Sequence, residues 1–310
     1  MNSPKTGIYA ASLTPFNASY EPEIPVLINH VQWLLGNGAD GVALLGSTGE
    51  ANSMTLKQRQ SIIEQSARKL PVDQLLIGTG SCALHDAIKL TKISIDVGIY
   101  AVLVLPPFYY KPQSDESVIR YYSELISSVD DSRLRIIFYN FPKLSGYNFS
   151  TEILQEFKER FGDIAAGIKD SSGNWENMLS ITNNVPDFMV YSGTETLLLN
   201  ILREGGAGCI TASANLLAPE CQLVYQAWRN DQQDTAEQVQ KELNVLRKAL
   251  ESYQFVSELK GLMAEHTGSE HWQEMLPPFI PLLPSQVREL SEKINDLGLN
   301  LRQRIRKYFC

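Results

Sequence analysis

The chain has little cysteine, and the cysteines that it has are scattered. Only Cys82, Cys209, Cys221 and Cys310 occur among 310 residues, without a close pair or a C-x-x-C spacing. This distribution predicts neither a disulfide framework nor a zinc site, and it favours a reducing, cytoplasmic location. Histidine is equally scarce, and the four histidines form no H-x-x-x-H pair. We therefore predict no metal site and no bound cofactor.

Surplus positive charge and long apolar runs are also lacking. The formal net charge is -8 and the isoelectric point is near 5.2, whereas nucleic-acid-binding proteins generally carry a basic face. The one dense basic cluster, at positions 302–307, is typical of a solvated helix face. No apolar run approaches the roughly 20 residues that cross a bilayer, and the N-terminus does not resemble a signal peptide. We expect no nucleic-acid partner, no membrane span and no export.

Eight short apolar, β-prone runs recur along the chain, with amphipathic stretches of helical period between them. The predicted strands are 8–13, 41–45, 75–79, 101–105, 135–139, 164–169, 188–192 and 208–212. Alternating strands and helices imply a parallel sheet, and eight such units are the number that closes a (β/α)₈ TIM barrel. An open doubly wound sheet is the alternative, but no G-x-G-x-x-G turn follows the first strand.

The strand pattern ends after Pro219, and the remainder of the chain has helical periodicity. From about residue 231 we expect two or three helices, interrupted by prolines at 277, 278, 281 and 284. The predicted organisation is therefore a catalytic barrel over 1–230 and a C-terminal helical region over 231–310.

Lys169 closes the apolar run at 164–169, where a charged side chain faces a large desolvation cost. Burial disfavours the ammonium form of lysine and leaves a neutral amine that can attack a ketone. Because side chains alternate along a strand, Gly167 and Ala165 are expected to share the face of Lys169 and to leave space for a ligand. A lysine at the solvated end of an ordinary strand is the alternative interpretation.

Other polar residues also follow predicted strands, which is where TIM barrels carry their chemistry. They stand at Ser47 and Thr48 after strand two, Tyr109 after strand four, Tyr139 at the end of strand five, and Gly193 after strand seven. Helix capping or core packing would explain each of them alone. Together they predict that an amine, phenols, hydroxyls and glycine backbone amides lie at one end of the barrel. This set of groups is suited to imine chemistry on a 2-keto acid.

Three motifs carry a resemblance to a known family: 46–50 (GSTGE), 139–142 (YNFP) and 167–170 (GIKD). With these motifs the chain resembles, over nearly its whole length, the dihydrodipicolinate synthase and N-acetylneuraminate lyase superfamily of class I aldolases. The resemblance implies that Lys169 forms a Schiff base with pyruvate, that Tyr139 transfers protons, and that Ser47 and Thr48 bind the carboxylate. It also implies that Tyr109 reaches a neighbouring subunit's active site in a homotetramer built from dimers. In the mechanism that these groups predict, Thr48 and Tyr109 relay the proton of Tyr139 to solvent.

Departures from the family pattern bear on the substrate. Leu144 stands where dihydrodipicolinate synthases usually carry an arginine for the carboxylate of aspartate semialdehyde, and loss of such a pair costs roughly 1.5 to 3 kcal/mol. Glu195 and Thr196 stand where sialate lyases carry two adjacent acidic residues that bind sugar hydroxyls. We therefore expect Glu195 to bind one or two hydroxyls of a smaller substrate, of the 2-keto-3-deoxy sugar acid kind.

The resulting hypothesis is a lyase that reversibly cleaves a 2-keto-3-deoxy acid to pyruvate and an aldehyde. A synthase or dehydratase on the same imine scaffold is the first alternative. A non-catalytic keto-acid sensor is the second, although a pure binding protein has no need of a buried neutral amine.

Overall fold

The computed structural model describes residues 4–251 and 254–306, so Cys310 and the last residue of the basic cluster lie outside the described residues. Eight parallel strands form a closed barrel in the order β1 to β8. They are Gly7–Ala11, Gly41–Leu44, Leu75–Gly78, Ala101–Val104, Arg135–Asn140, Ala165–Asp170, Met189–Ser192 and Gly208–Thr211. All eight predicted strands are confirmed to within two residues at either end, and so is the TIM barrel.

Helices follow the strands and cover the outside of the barrel. Helices α1 to α9 are Ile24–Gly36, Leu56–Ala67, Leu84–Asp96, Asp115–Val129, Pro142–Ser145, Thr151–Phe161, Trp175–Asn184, Leu198–Arg203 and Ala214–Arg229. Helices α10 to α13 are Gln233–Ala249, Phe255–Thr267, Pro284–Asp296 and Leu301–Arg306. No helix within the described ranges has both the length and the apolar character needed to cross a bilayer.

The strands alternate between two hydrophobic environments. On β5, Ile137 and Tyr139 point into the barrel, whereas Ile136 and Phe138 pack against the surrounding helices. The register places Lys169 of β6 beside Tyr139 on one side and Tyr191 of β7 on the other. The end of β6 is therefore oriented toward the barrel axis at the level of Tyr139.

The start of β6 departs from simple alternation. Ile136 pairs with Ala165, but the next residue, Ile137, pairs with Gly167, so β6 contains one extra residue at this point. As a result Ala165 belongs to the outer cluster and Ala166 to the inner one. The expectation that Ala165 shares the face of Lys169 is wrong, because a bulge shifts the period-two pattern by one residue.

The C-terminal helices pack on the barrel rather than apart from it. Leu243 and Leu246 of α10 and Leu259 of α11 belong to the same hydrophobic cluster as Ile8 of β1 and Leu27 of α1. The described part of the chain after residue 231 contains four α-helices, rather than two or three helices. Pro284 begins α12 instead of interrupting a helix, since proline fits the first helical turn. The division at residue 230 stays a prediction.

Candidate active site

A cavity of about 530 Å³ opens at the carboxyl ends of the strands. Its wall includes five of the residues selected from the sequence, contributed by four separate strand ends: Ser47, Thr48, Tyr139, Lys169 and Gly193. The structure therefore brings together the amine, one phenol and two hydroxyls on one cavity wall.

Lys169 is buried, with 5% of its surface exposed, and its Nζ lies 4.5 Å from the centroid of the Tyr139 ring. The next residue, Asp170, belongs to the same cavity wall and takes part in a hydrogen-bond network. Its carboxylate accepts hydrogen bonds from the Ser172 backbone N–H at 2.8 Å and from the Asn140 side-chain amide at 3.0 Å. These bonds join the ends of β5 and β6 and fix the strand end that carries the lysine.

Gly193 is required by close packing at the end of β7. A Cβ atom at this position would lie 2.0 Å from Ser171 Oγ and 2.7 Å from the Asp170 carbonyl oxygen. Its backbone N–H donates to that same carbonyl at 2.6 Å, so the amide is occupied. Gly193 thus shapes the cavity wall beside Lys169, and its N–H is already hydrogen-bonded within the protein.

The loop from Leu45 to Glu50 presents Ser47 and Thr48. Both end residues have left-handed backbone conformations, with φ of 58° and 60°, which are uncommon for residues other than glycine. Among the described residues, none accepts a hydrogen bond from the amides or hydroxyls of Ser47 and Thr48. Adjacent uncommitted N–H and O–H donors form a site suited to an anion such as a carboxylate.

A buried ion pair anchors this loop to the C-terminal helices. Lys260 of α11 lies 2.7 Å from Glu50 Oε1 and also donates to the carbonyl oxygens of Thr14 and Glu274. Glu50 Oε2 accepts from the Leu276 backbone N–H at 2.7 Å. Burial raises the pKa of the Glu50 carboxyl and lowers that of Lys260, and the contact between them opposes both shifts.

Tyr109 and Leu144 do not line the cavity. The Tyr109 side chain is 76% exposed and stacks edge to face on Tyr110, which is 82% exposed. Within a single chain the expected relay from Thr48 to Tyr109 is therefore not formed. Leu144 is 42% exposed, and its neighbour Lys143 lines the cavity instead.

Glu195 and Thr196 also lie off the cavity wall. The Glu195 side chain is fully buried, and Oε2 accepts from Thr211 Oγ1 at 2.6 Å and from Arg247 Nη1 at 3.4 Å. The Thr196 hydroxyl lies 3.0 Å from that of Thr194. This geometry does not match the expected direct contact between Glu195 and a substrate hydroxyl, because the carboxylate is directed toward β8 and α10.

One side of the cavity is formed by residues that the sequence interpretation missed. Arg247, Glu251, Phe255, Val256 and Phe279 belong to the region after residue 231. The i, i+4 pair of Arg247 and Glu251 is visible in the sequence, but such pairs usually mark a solvated helix face. Their position at the cavity depends on long-range packing, which local periodicity does not report.

The histidines contribute nothing to the cavity wall. His30 is buried and donates from Nε2 to Asn215 Oδ1 at 2.8 Å, and burial lowers the pKa of His30 to about 4. His266 Nε2 lies 3.1 Å from the Ser291 hydroxyl. In residues 4–251 and 254–306, no three His, Cys, Asp or Glu side chains are grouped so that they could hold a metal ion.

Comparisons with known proteins agree with this geometry. An uncharacterized DapA-like lyase of Chloroflexus aurantiacus is 29% identical over 92% of this chain and 93% of its own length. The 4-hydroxy-tetrahydrodipicolinate synthase 1 of Halalkalibacterium halodurans is 29% identical over 93% and 96%, respectively. Among solved structures, the prophage protein YagE of Escherichia coli K12, in complex with pyruvate, superimposes with a TM-score of 0.86 and 27% identity, covering 95% of this chain and 99% of YagE.

The family model that matches extends over residues 4–297, which is nearly the entire chain, and describes the dihydrodipicolinate synthetase family. The relatives are matched along nearly their full lengths, so the similarity concerns whole proteins. The chain therefore belongs to the dihydrodipicolinate synthetase family, and it is an enzyme of the lyase and aldolase class that this family comprises.

Proposed function

We propose that the protein cleaves a 2-keto-3-deoxy acid reversibly to pyruvate and an aldehyde through a Schiff base on Lys169. The observation that carries this proposal is the position of a buried amine 4.5 Å from the Tyr139 ring, in a cavity that also exposes Ser47 and Thr48. The pyruvate complex of YagE supports a keto acid as the ligand.

Ser47 and Thr48 bind the carboxylate of the keto acid. Their amides and hydroxyls are uncommitted among the described residues, and the loop is held by the buried contact of Glu50 with Lys260. Fixing the carboxylate there orients the neighbouring carbonyl carbon toward the amine and removes much of the entropic cost of the attack.

The chemistry begins when the unprotonated Lys169 amine adds to the keto carbon, and loss of water then gives a protonated imine. Tyr139 takes the proton from the C4 hydroxyl, the C3–C4 bond breaks, and its electron pair enters the imine to form an enamine. The aldehyde leaves, a proton is added at C3, and water hydrolyses the imine to release pyruvate and restore the lysine.

Other members of the same reaction class share the early steps. A synthase would use the enamine to attack an aldehyde, and a dehydratase would expel a hydroxyl without cleaving a carbon–carbon bond. Leu144 provides no guanidinium at the position where synthases of this family usually hold aspartate semialdehyde, which favours the lyase. The intact Lys169 and Tyr139 pair argues against a non-catalytic sensor.

The active unit is a homotetramer made of dimers in which Tyr109 completes the site of a neighbouring subunit. Two stacked and largely exposed tyrosines at the mouth of the barrel support this proposal, since exposed aromatic pairs commonly mark interfaces.

Borohydride trapping tests the central step. Reduction in the presence of pyruvate should add one pyruvate-derived mass increment per chain, on the peptide that contains Lys169. Lys169→Met should abolish the adduct, whereas Lys241→Met, which removes an exposed lysine of α10, should leave it intact. Labelling of a different lysine, or an unlabelled wild-type protein, would exclude a Schiff base on Lys169.

A further inference from the structure

Arg247 places a positive charge on the cavity wall, although it belongs to a helix outside the barrel. It belongs to α10, yet its side chain lines the same cavity as Lys169 and is only 15% exposed. None of the steps proposed above uses this guanidinium. A largely buried charge at a substrate cavity is a candidate for substrate recognition.

Three neighbours hold the guanidinium in one orientation. Nη1 lies 3.4 Å from Glu195 Oε2, and both Nε and Nη2 lie 2.8 Å from Glu251 Oε1. The guanidinium carbon lies 4.1 Å from the centroid of the Phe255 ring, a stacking geometry that is favourable for arginine. The side chain is therefore pre-oriented before any ligand binds.

The guanidinium retains donors for a ligand. An arginine side chain has five N–H donors, and the three carboxylate contacts use at most three of them. Lys143 adds a second cation to the same cavity. Asp170, an acid of the wall, is already bonded to Asn140 and Ser172. Arg247 and Lys143 therefore each place a cation on the cavity wall in addition to the reacting lysine, and Glu251 of the same wall is paired with Arg247.

We propose that Arg247 recognises a second anionic group, a carboxylate or a phosphate, at the end of the substrate away from its keto acid. Glu195 is the positioning residue that orients Arg247 and does not touch the substrate. This inference rests on the proposed function, because it concerns the chemical group at the end of the substrate that takes no part in the Schiff base. It replaces the expectation that Glu195 binds a sugar hydroxyl.

Turnover of matched substrates tests the inference. Three six-carbon 2-keto-3-deoxy acids that end in a hydroxymethyl, a carboxylate or a phosphate ester are compared by the rate of pyruvate release, and condensation of pyruvate with aspartate semialdehyde forms a fourth arm. At least one anionic substrate should exceed the hydroxymethyl acid by about 10- to 100-fold in kcat/KM, the range expected for a charge-assisted bidentate contact. The preferred arm identifies the source of the anion.

Three variants separate recognition from folding. Arg247→Lys keeps the charge but loses the planar fork, and it should reduce the preference for the anionic substrate by about tenfold. Arg247→Met combined with Glu195→Gln removes both charges together, so no unpaired charge stays buried, and it should abolish the preference. Arg203→Gln is the matched control, since Arg203 pairs with Glu237 of α10 at 2.8 Å with both side chains solvent-exposed, and it should preserve the preference.

The outcomes are distinguishable. A wild-type enzyme that prefers the hydroxymethyl acid, or variants that slow all substrates equally, would overturn the role of Arg247 while borohydride trapping on Lys169 still supported the lyase. Absence of the trapped adduct would overturn the proposed function and, with it, this inference. A preference that falls in Arg247→Lys, disappears in the double variant and persists in Arg203→Gln supports both the lyase and the role of Arg247.

Discussion

At the scale of single residues, Tyr139 is the side chain whose chemical role is easiest to distinguish from its role in packing. Its ring packs within the inner cluster of the barrel and lies 4.5 Å from Lys169 Nζ, so packing and chemistry use different parts of the side chain. Tyr139→Phe should therefore keep the fold and the pyruvate adduct while kcat falls by about 10² to 10⁴, the usual cost of losing a positioned acid–base group. Steady-state kinetics would measure kcat and borohydride trapping would measure the pyruvate adduct, and an unchanged kcat would reassign Tyr139 to packing.

His30 should make the fold sensitive to acid. Its pKa is about 4 in the folded protein and about 6.5 when exposed, so between these values the unfolded chain binds the additional proton. The contribution of neutral His30 to the free energy of unfolding is therefore fully present above about pH 6.5, and it is lost as the pH falls toward 4. At pH 5 the loss should be about 2 kcal/mol relative to pH 7.

His30→Gln should remove this pH-dependent part while retaining a donor for Asn215. Urea unfolding at pH 7 and pH 5, at one protein concentration, gives the difference for each variant. His85→Gln, at an exposed position of α3, is the control and should behave as the wild type does. Equal pH dependence in the wild type and His30→Gln would contradict the assignment.

The sequence predicted several of the cavity residues at strand ends, because a barrel brings its strand ends together whatever lies between them. Lys169, Tyr139, Ser47 and Thr48 line one cavity for this reason. Arg247 could not be predicted in the same way. Its contact with Glu195 joins positions 52 residues apart, and it depends on how α10 docks against the barrel.

At the scale of elements, the loop after β2 and helix α11 depend on each other. Glu50 and Lys260 are fully buried side chains that satisfy one another, and Glu50 also accepts from the Leu276 N–H. Removing one partner leaves an unpaired buried charge, which typically costs about 3 to 5 kcal/mol. Lys260→Met should therefore destabilise the protein by this amount and weaken pyruvate binding, because Ser47 and Thr48 lose their support.

Two further variants test this coupling. The double variant Glu50→Gln with Lys260→Met leaves no unpaired charge and should recover part of the stability. Lys5→Met removes an exposed pair with Asp73 and should cost about 1 kcal/mol or less. Chemical unfolding and the pyruvate concentration for half-maximal trapping provide the measurements. A Lys260→Met protein as stable as Lys5→Met would refute the coupling.

Element prediction succeeded for the strands because each is a short apolar run with its own turn residues, which local sequence reports directly. It failed at the start of β6, where a bulge changes the face of Ala165 without changing the composition of the run. It also undercounted the C-terminal helices, since proline both ends helices and begins them.

At the scale of the whole molecule, the exposed pair of Tyr109 and Tyr110 is the feature that a single chain leaves unexplained. These side chains are 76% and 82% exposed, next to the mouth of a cavity that neither of them lines. If Tyr109 completes a neighbouring site, as we propose, Tyr109→Ala should weaken the dimer by roughly 30-fold, the effect of losing an interface hot spot of about 2 kcal/mol. Analytical ultracentrifugation alongside kcat would measure this, with Leu223→Ala, an exposed residue of α9, as the control.

Mixing of inactive subunits tests whether the tyrosine acts across the interface. A Lys169→Met chain lacks the amine but still supplies Tyr109, whereas a Tyr109→Ala chain keeps its amine but receives no phenol from an identical partner. When the two variants are mixed and allowed to exchange subunits, a Tyr109→Ala chain paired with a Lys169→Met chain has both groups at one site. Activity should therefore reappear in the mixture although each variant alone is nearly inactive. If the mixture stays as inactive as its components while heterodimers are shown to form, Tyr109 acts within its own chain or not at all, and the shared site is excluded.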